Sequence, residues 1–388
     1  TFDGYSTAYD AAGEIIDYCP PFSAELKIVD LDLSSRAKKR PGVAVPDDRD
    51  MASIYKALHY GVSKFLSAIG MKKVVIGVSG GIDSAVSACL YSTVLEPENV
   101  LLVNMPSVFN SQTTRDLATR LAKNLGCQYT IMPIQEVFEY TVKQIGQTPV
   151  VNLKDNSEFN LNVSPFVSEN IQARDRSARI LAGVAAAFGG GFTCNSNKSE
   201  MTVGYTTLYG DLAGFLAALA DLWKHQVYEL AAYLNEHIFS KEVIPGKMID
   251  LVPSAELSFE QDVDQGKGDP LVYPYHDYLF RAFMERWNRA TPEDILTWYA
   301  KGVLEEEIGC RPGLVAQLFT GPAGFIDDLE RWWKLYCGMG VAKRIQAPPV
   351  LAVSRRAYGF DHREAQNQTH FTDSYLKLKR ELMKLKEV

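Results

Sequence analysis

The chain has 388 residues, 46% hydrophobic and 22% charged, the proportions of a soluble globular protein with a sizeable core. Its 47 acidic and 40 basic side chains leave a net charge of −7, which weighs against a nucleic-acid-binding surface. No stretch approaches a membrane span, Thr1-Phe2-Asp3 opens no signal peptide, and the six cysteines form no C-x-x-C pair, so we expect a cytoplasmic protein without a zinc site or disulfide framework. The first residue is not Met, from which we expect a piece of a longer polypeptide.

Residues 1–45 read as short strands and a turn, too few to bury a face alone, and 36–50, with Pro41 and Pro46, reads as a linker. From Met51, the spacing of Ile54, Leu58, Val62, Phe65 and Ile69 predicts an amphipathic helix. After Lys73, the run Val74-Val75-Ile76-Gly77-Val78 is apolar and mostly β-branched, a buried parallel strand, and Ser79-Gly80-Gly81-Ile82-Asp83-Ser84 leads at once into an Ala- and Val-rich helix. Strands are then predicted at 100–104 and 128–133, and helices at 113–125 and 135–145. Alternating strands and helices imply βαβ units, hence a doubly wound parallel sheet of the α/β class.

Residues 150–164 read as irregular, 170–188 as a long helix carrying Arg174, Arg176 and Arg179, and 192–195 as a fourth strand. Helices are expected over 212–240, with His225 a structural or surface histidine. The acidic, Gly-rich stretch 261–270 reads as a long, mobile loop. Several amphipathic helices follow between 273 and 338, where Trp332-Trp333 fits a core or dimer interface. Residues 343–349 read as a basic, proline-stopped loop, and 376–388 as a solvated amphipathic helix.

Two stretches carry chemistry. A strand running through glycines into a helix N-terminus is an anion site, because glycines let backbone N–H groups close on phosphate and the helix end is partly positive. Neither Gly-x-x-x-x-Gly-Lys-Ser/Thr nor Gly-x-Gly-x-x-Gly is present, so neither a Walker-type NTPase nor a dinucleotide dehydrogenase is indicated. Asp83 inside such a loop would be repelled by phosphate unless a magnesium ion bridged them. The second stretch, 195–211, packs Lys198, Glu200 and Asp211 among small residues at a strand end, a workable arrangement for phosphate and metal.

Ser79-Gly80-Gly81-Ile82-Asp83-Ser84 resembles the loop of ATP pyrophosphatases. Together with Asn170-Ile171-Gln172-Ala173-Arg174, Asn197-Lys198-Ser199-Glu200, Gly204-Tyr205-Thr206-Thr207-Leu208-Tyr209-Gly210-Asp211 and Pro253-Ser254-Ala255-Glu256, it resembles NAD synthetase. The Asn-Lys-Ser-Glu and Gln-Ala-Pro-Pro wordings and the N-terminal tail resemble the glutamine-dependent branch. The resemblance implies an adenine nucleotide alpha hydrolase-like fold with a helical C-terminal part. It divides the chain into the end of a nitrilase-like glutaminase domain with linker (1–45), a synthetase domain (46–360) and a tail helix (361–388).

It also implies ATP-dependent amidation of deamido-NAD to NAD, with ammonia as donor for this chain and glutamine for the intact protein. Ser79, Gly80, Gly81, Asp83, Ser84, Arg176, Asn195, Lys224 and Ser254 would meet ATP. Asp83 and Glu200 would hold magnesium and, with Lys224, serve catalysis. Asn170, Arg174, Asp211, Lys343 and Arg344 would meet deamido-NAD, the last two from a closing loop. A homodimer or larger assembly is implied, with no nucleic-acid or membrane partner.

The sequence departs from the family at Asn195-Ser196, where Thr-Gly is usual, and no Cys–Glu–Lys glutaminase set can be assigned. Asp175, between Arg174 and Arg176, is a candidate to pair with them. The alternatives are another adenylating enzyme of the same loop, GMP-synthetase-like or tRNA-thiolating, and a non-catalytic nucleotide-binding module.

Overall fold

The computed structural model of the chain describes residues 3–31, 51–286, 289–354, 356–358 and 370–384. The expected linker at 36–50 and the expected domain limits at 45–46 and 360–361 lie outside them. Strands β1 (Thr7–Tyr9) and β2 (Ile15–Tyr18) form an antiparallel hairpin. Just after it, Phe22 packs its ring 5.8 Å from that of Tyr60 on helix α1 (Met51–Ala68). Leu58 and Val62 of the expected stripe are buried, whereas Ile69 lies past the helix end and is exposed.

The central sheet is parallel. β3 (Val74–Gly77), β4 (Val100–Asn104) and β5 (Gln128–Ile131) pair in sequence order. After a separate antiparallel hairpin, β6 (Pro149–Val151) with β7 (Glu158–Asn160), strand β8 (Gly191–Phe192) adds to the free side of β3. The hairpin replaces the irregular chain expected at 150–164. The order β5-β4-β3-β8 reverses direction at β3, and in such sheets ligands sit beyond the carboxyl ends of the strands.

Strand alternation divides the core. Val74 and Ile76 face helices α1, α2 (Ile82–Ser92) and α3 (Gln112–Leu125), while Val75 faces the other way with Val103, Leu181 and Ala185. All three β3 side chains are fully buried, each contributing about 1.5–3 kcal/mol. Helix α4 (Gln135–Gln147) follows β5. The long helix then starts earlier than expected, because Ser164 caps the Val167 N–H at 3.4 Å and Pro165 occupies the first turn. It runs as α5 (Pro165–Arg174), a π-helical turn (Asp175–Leu181) and α6 (Ala182–Phe188).

Beyond α7 (Lys198–Val203), residues 212–223 are not the helix expected of their Leu and Ala content. They run as buried turns that extend the sheet: Ala217 bridges Cys194 on one side and Val350 on the other, and its N–H bonds the Pro349 carbonyl at 2.9 Å. Helical propensity yields there to burial on every side. Helices α8 (Lys224–Tyr233) and α9 (Gly246–Asp250) complete the sheet-covering layer.

A helical second core follows, with α10 (Tyr273–Met284), α11 (Pro292–Ala300), α12 (Leu304–Ile308), α13 (Leu314–Leu318), α14 (Pro322–Cys337), α15 (Met339–Gln346) and α16 (Asp373–Lys384). Tyr275, Phe280, Phe283, Trp332 and Tyr336 fill it, so Trp332 belongs to the core. Lys343 and Arg344 lie on α15, correcting the expected loop: the helix persists until Ala347, just ahead of Pro348 and Pro349. Nor is α16 solvated all round, since it buries Tyr375 and Leu382, and Lys379 bonds Glu330 of α14.

Candidate functional site

The loop after β3 is shaped by its small residues. Gly80 has φ +92°, a left-handed conformation, and lies against the backbone of Thr114. Ser84 closes the loop: its Oγ donates to the Gly81 carbonyl at 3.0 Å and accepts from the Ser79 N–H at 3.3 Å. Asp83 sits in the first turn of α2, at the mouth of the loop.

Two helix starts converge on Asp83. Asn197 caps α7: its Oδ1 accepts from the Glu200 N–H at 3.1 Å, while its Nδ2 donates to Asp83 Oδ1 at 3.0 Å. Lys224 opens α8, and its Nζ bonds Asp83 Oδ2 directly and lies 3.7 Å from Glu200 Oε1. Burial, reinforced by Asp83 and opposed by Lys224, pushes the Glu200 carboxyl up to about 8. Burial would lower Lys224, but Asp83 and Glu200 outweigh it and raise it. One ammonium thus serves two carboxylates, which leaves the site short of positive charge. A divalent cation fits that deficit. Among the described residues no three His, Cys, Asp or Glu side chains gather as a closed metal cage, and two carboxylates with room for phosphate oxygens is the usual magnesium arrangement.

The cluster lies in a cavity of about 800 Å³. Ser79, Gly80, Gly81, Asp83, Ser84, Asn195, Glu200 and Lys224 line it, and so do Asn170, Arg176, Asp211, Ser254 and Lys343. Arg176 donates to the Met105 carbonyl and to Asn110 Oδ1, each at 3.1 Å, and burial lowers it to about 10 despite Glu256, Asp175 and Asp211 nearby. Asn195 donates to the Gly77 carbonyl at 3.1 Å. Asp211 accepts the Thr207 N–H at 2.8 Å, and burial raises its carboxyl. Lys343 donates to the Gly204 carbonyl at 2.6 Å and to that of Thr206.

Arg174 and Arg344 do not line the cavity. Arg174 reaches the Leu208 carbonyl at 3.1 Å, and the buried Arg344 donates to the carbonyls of Thr202 and, at 2.9 Å, Tyr336, tying α15 to α7 and α14. Asp175 turns to Arg179, at 2.5 and 2.7 Å, leaving Arg174 and Arg176 to their carbonyls.

Three residues given no role of their own in the sequence reading also shape the site. Asn197 could have been read from its capping box, Asn followed three residues later by Glu. Glu256, at φ +46°, accepts from Thr114 Oγ1 at 2.7 Å, the Ser111 N–H at 3.1 Å and Asn110 Nδ2 at 3.2 Å, pinning the Ser254 segment over the cavity. Asp269 accepts from Tyr205 at 3.2 Å and Tyr273 at 3.1 Å, so 261–270 is anchored at its end. Glu256 closes the Pro-Ser-Ala-Glu motif without its partners being legible there, and nothing local marks Asp269.

A parallel sheet with a glycine loop, a cation-seeking carboxylate pair and a cavity beyond its strand ends defines an α/β nucleotide-binding protein. The family described as NAD synthase matches residues 54–303, and the chain belongs to that family. It is 38% identical over 358 residues to the glutamine-dependent NAD(+) synthetase of Synechocystis sp., covering 92% of this chain and 56% of that protein. The Aquifex aeolicus protein of the same name is 33% identical over 392 residues, covering 93% and 61%. The chain thus spans a little over half the length of these relatives. The structure of glutamine-dependent NAD+ synthetase from Acinetobacter baumannii in complex with adenosine diphosphate superposes with a TM-score of 0.52 at 25% identity, covering 91% of this chain and 60% of that one.

Proposed function

We propose that this chain amidates deamido-NAD to NAD at the expense of ATP. The observation that carries the reading is the meeting of Asp83, Glu200 and Lys224 at the mouth of the Ser79–Ser84 loop. A nicotinate carboxylate oxygen bonds to the α-phosphorus of ATP and pyrophosphate leaves. Ammonia then attacks the mixed anhydride, AMP leaves, and the surplus proton passes to solvent or a nearby base. Both steps bring anions together and expose an activated carboxyl, so the protein's task is placement, charge neutralisation and exclusion of water.

Ser79, Gly80, Gly81 and Ser84 cradle the pyrophosphate, and Lys224 offsets its charge. Arg176, Asn195 and Ser254 hold the rest of ATP, while Asn170, Asp211 and Lys343 face deamido-NAD. Arg174 and Arg344 are retained only as residues that order this wall. Asp83 and Glu200 would hold magnesium, which when bound supplies positive charge to phosphate oxygens.

The proposal includes the layout expected from sequence: the closing part of a nitrilase-like glutaminase domain over 1–45, the synthetase domain over 46–360 and a tail over 361–388. It also includes a cytoplasmic setting, assembly into a homodimer or larger oligomer, and glutamine as donor for the intact protein. Among the described residues no helix is long and apolar enough to cross a membrane.

The test is NAD formation by the purified chain with ATP, magnesium and deamido-NAD, given ammonium or glutamine. NAD with ammonium alone supports the reading for this chain. NAD with both donors would reveal an amide source within it. No NAD and no pyrophosphate with either would refute the reading.

A further inference from the structure

Behind the cavity wall lies a carboxylate that touches nothing in the cavity. Asp277 of α10 is fully buried and does not line the cavity. Its Oδ1 accepts from Ser199 Oγ at 2.5 Å. Its Oδ2 accepts the His225 N–H at 3.0 Å and lies 2.9 Å from His225 Nδ1. Ser199 in turn accepts the Lys224 N–H at 3.0 Å. A buried carboxylate is costly unless its oxygens are satisfied, and the groups satisfying Asp277 come from two different helix starts.

Those starts carry the chemistry. Ser199 precedes Glu200 in the first turn of α7, and His225 follows Lys224 in the first turn of α8. The carboxylate also faces the N-terminal end of α8, where negative charge is favourable. His225 is held in turn by stacking on Tyr278, ring centroids 5.5 Å apart and 9° from parallel. Asp277 is therefore bonded to the immediate neighbours of Glu200 and Lys224 in the chain and to neither of those side chains.

We propose that Asp277, acting through Ser199 and the His225 backbone, is a positioning residue for the Lys224–Glu200–Asp83 cluster. The inference rests on the reading of that cluster as the reaction centre. A shift of about 1 Å between reacting groups costs on the order of 100-fold in rate. Loosening this clamp is thus expected to lower turnover by roughly 10- to 100-fold while leaving the cradle for ATP in place.

The test compares wild type, Asp277→Asn, Ser199→Ala, His225→Ala and the Ser199→Ala/Asp277→Asn double variant by ammonia-dependent NAD formation and thermal melting. Asp277→Asn and Ser199→Ala should each lose kcat at least about 10-fold, with KM for ATP within about 3-fold of wild type. The double variant should be no slower than the slower single variant, because both break one path. His225→Ala, which keeps the backbone N–H bond, should lose less than about 3-fold. Should Asp277→Asn fail to fold, Ser199→Ala decides alone. Near-normal kcat in the folded single variants, or multiplied losses in the double, would overturn the inference. Absence of NAD from the wild type would instead fail the functional reading and the inference with it.

Discussion

Replacing Gly80 by Ala should disable the loop by geometry alone. A Cβ on Gly80 would stand 2.2 Å from the Thr114 carbonyl oxygen, 2.7 Å from its carbonyl carbon and 2.8 Å from its Cα. Ordinary contact begins at 3.4 Å, so 3.4 − 2.2 leaves about 1.2 Å that the loop or α3 must move. The neighbour is helix backbone and has no rotamer with which to yield. Added to that is a left-handed φ, about 1–2 kcal/mol for a residue with a Cβ, and overpacking of about 1–3 kcal/mol. A displacement of this size at a phosphate cradle is expected to cost on the order of 100-fold in rate. Gly81, by contrast, has φ −87° and a Cβ there would meet only Ser79 Oγ among protein atoms, at 3.3 Å, so Gly81→Ala should leave the melting temperature near wild type. The assay is pyrophosphate release under saturating ATP with melting curves alongside. Gly80→Ala within about 3-fold of wild type, or Gly81→Ala as destabilised in melting as Gly80→Ala, would refute the steric argument.

Asp83→Asn should lower NAD formation by at least about 100-fold in protein that still folds; a near-normal rate would remove Asp83 from the centre. In metal-free protein Glu200 is raised from 4.5 to about 8, so its contribution to stability is present below pH 4.5 and is lost as pH rises through 8. Wild type should therefore lose more melting temperature than Glu200→Gln between pH 5 and 8, and magnesium should restore it; identical pH dependence in both proteins would contradict this. Lys198 and Asp221 form a fully buried pair at 2.7 Å, which Glu285 joins at 2.8 Å. Lys198→Met strands these carboxylates and should cost about 3–5 kcal/mol in urea unfolding, a loss below 1 kcal/mol contradicting it.

What could be read from sequence was local. The β3–loop–α2 unit follows from three adjacent β-branched residues, two glycines and an Ala-rich run, and the parallel sheet follows from repeating that alternation. Residues 212–223 were misleading because Leu and Ala favour a helix equally when one face or every face is buried. Lys343 and Arg344 were assigned to a loop because Pro348 and Pro349 were given more reach than they have. Asp277 and Asp269 gave no signal, and Glu256 was quoted in a motif without a role, since their partners are brought together only by the fold. For Glu256 and Thr114 the separation is 142 residues.

The π-helical turn Asp175–Leu181 bears on how this chain tolerates insertions and deletions. A π turn holds one residue more than an α turn, so everything beyond it is rotated by about 100° relative to an unbroken helix. That offset lets Ile171 and Ala173 be buried before the step, Leu181 at its end and Ala185 after it, while Arg176 meets the Met105 carbonyl and Ser177 the Gly210 carbonyl at 2.6 Å. Loss of one residue within the turn would regularise the helix and set its two halves out of phase. Substitutions there cost one contact each; a deletion would turn either the cavity wall or the sheet-facing stripe away from its partner.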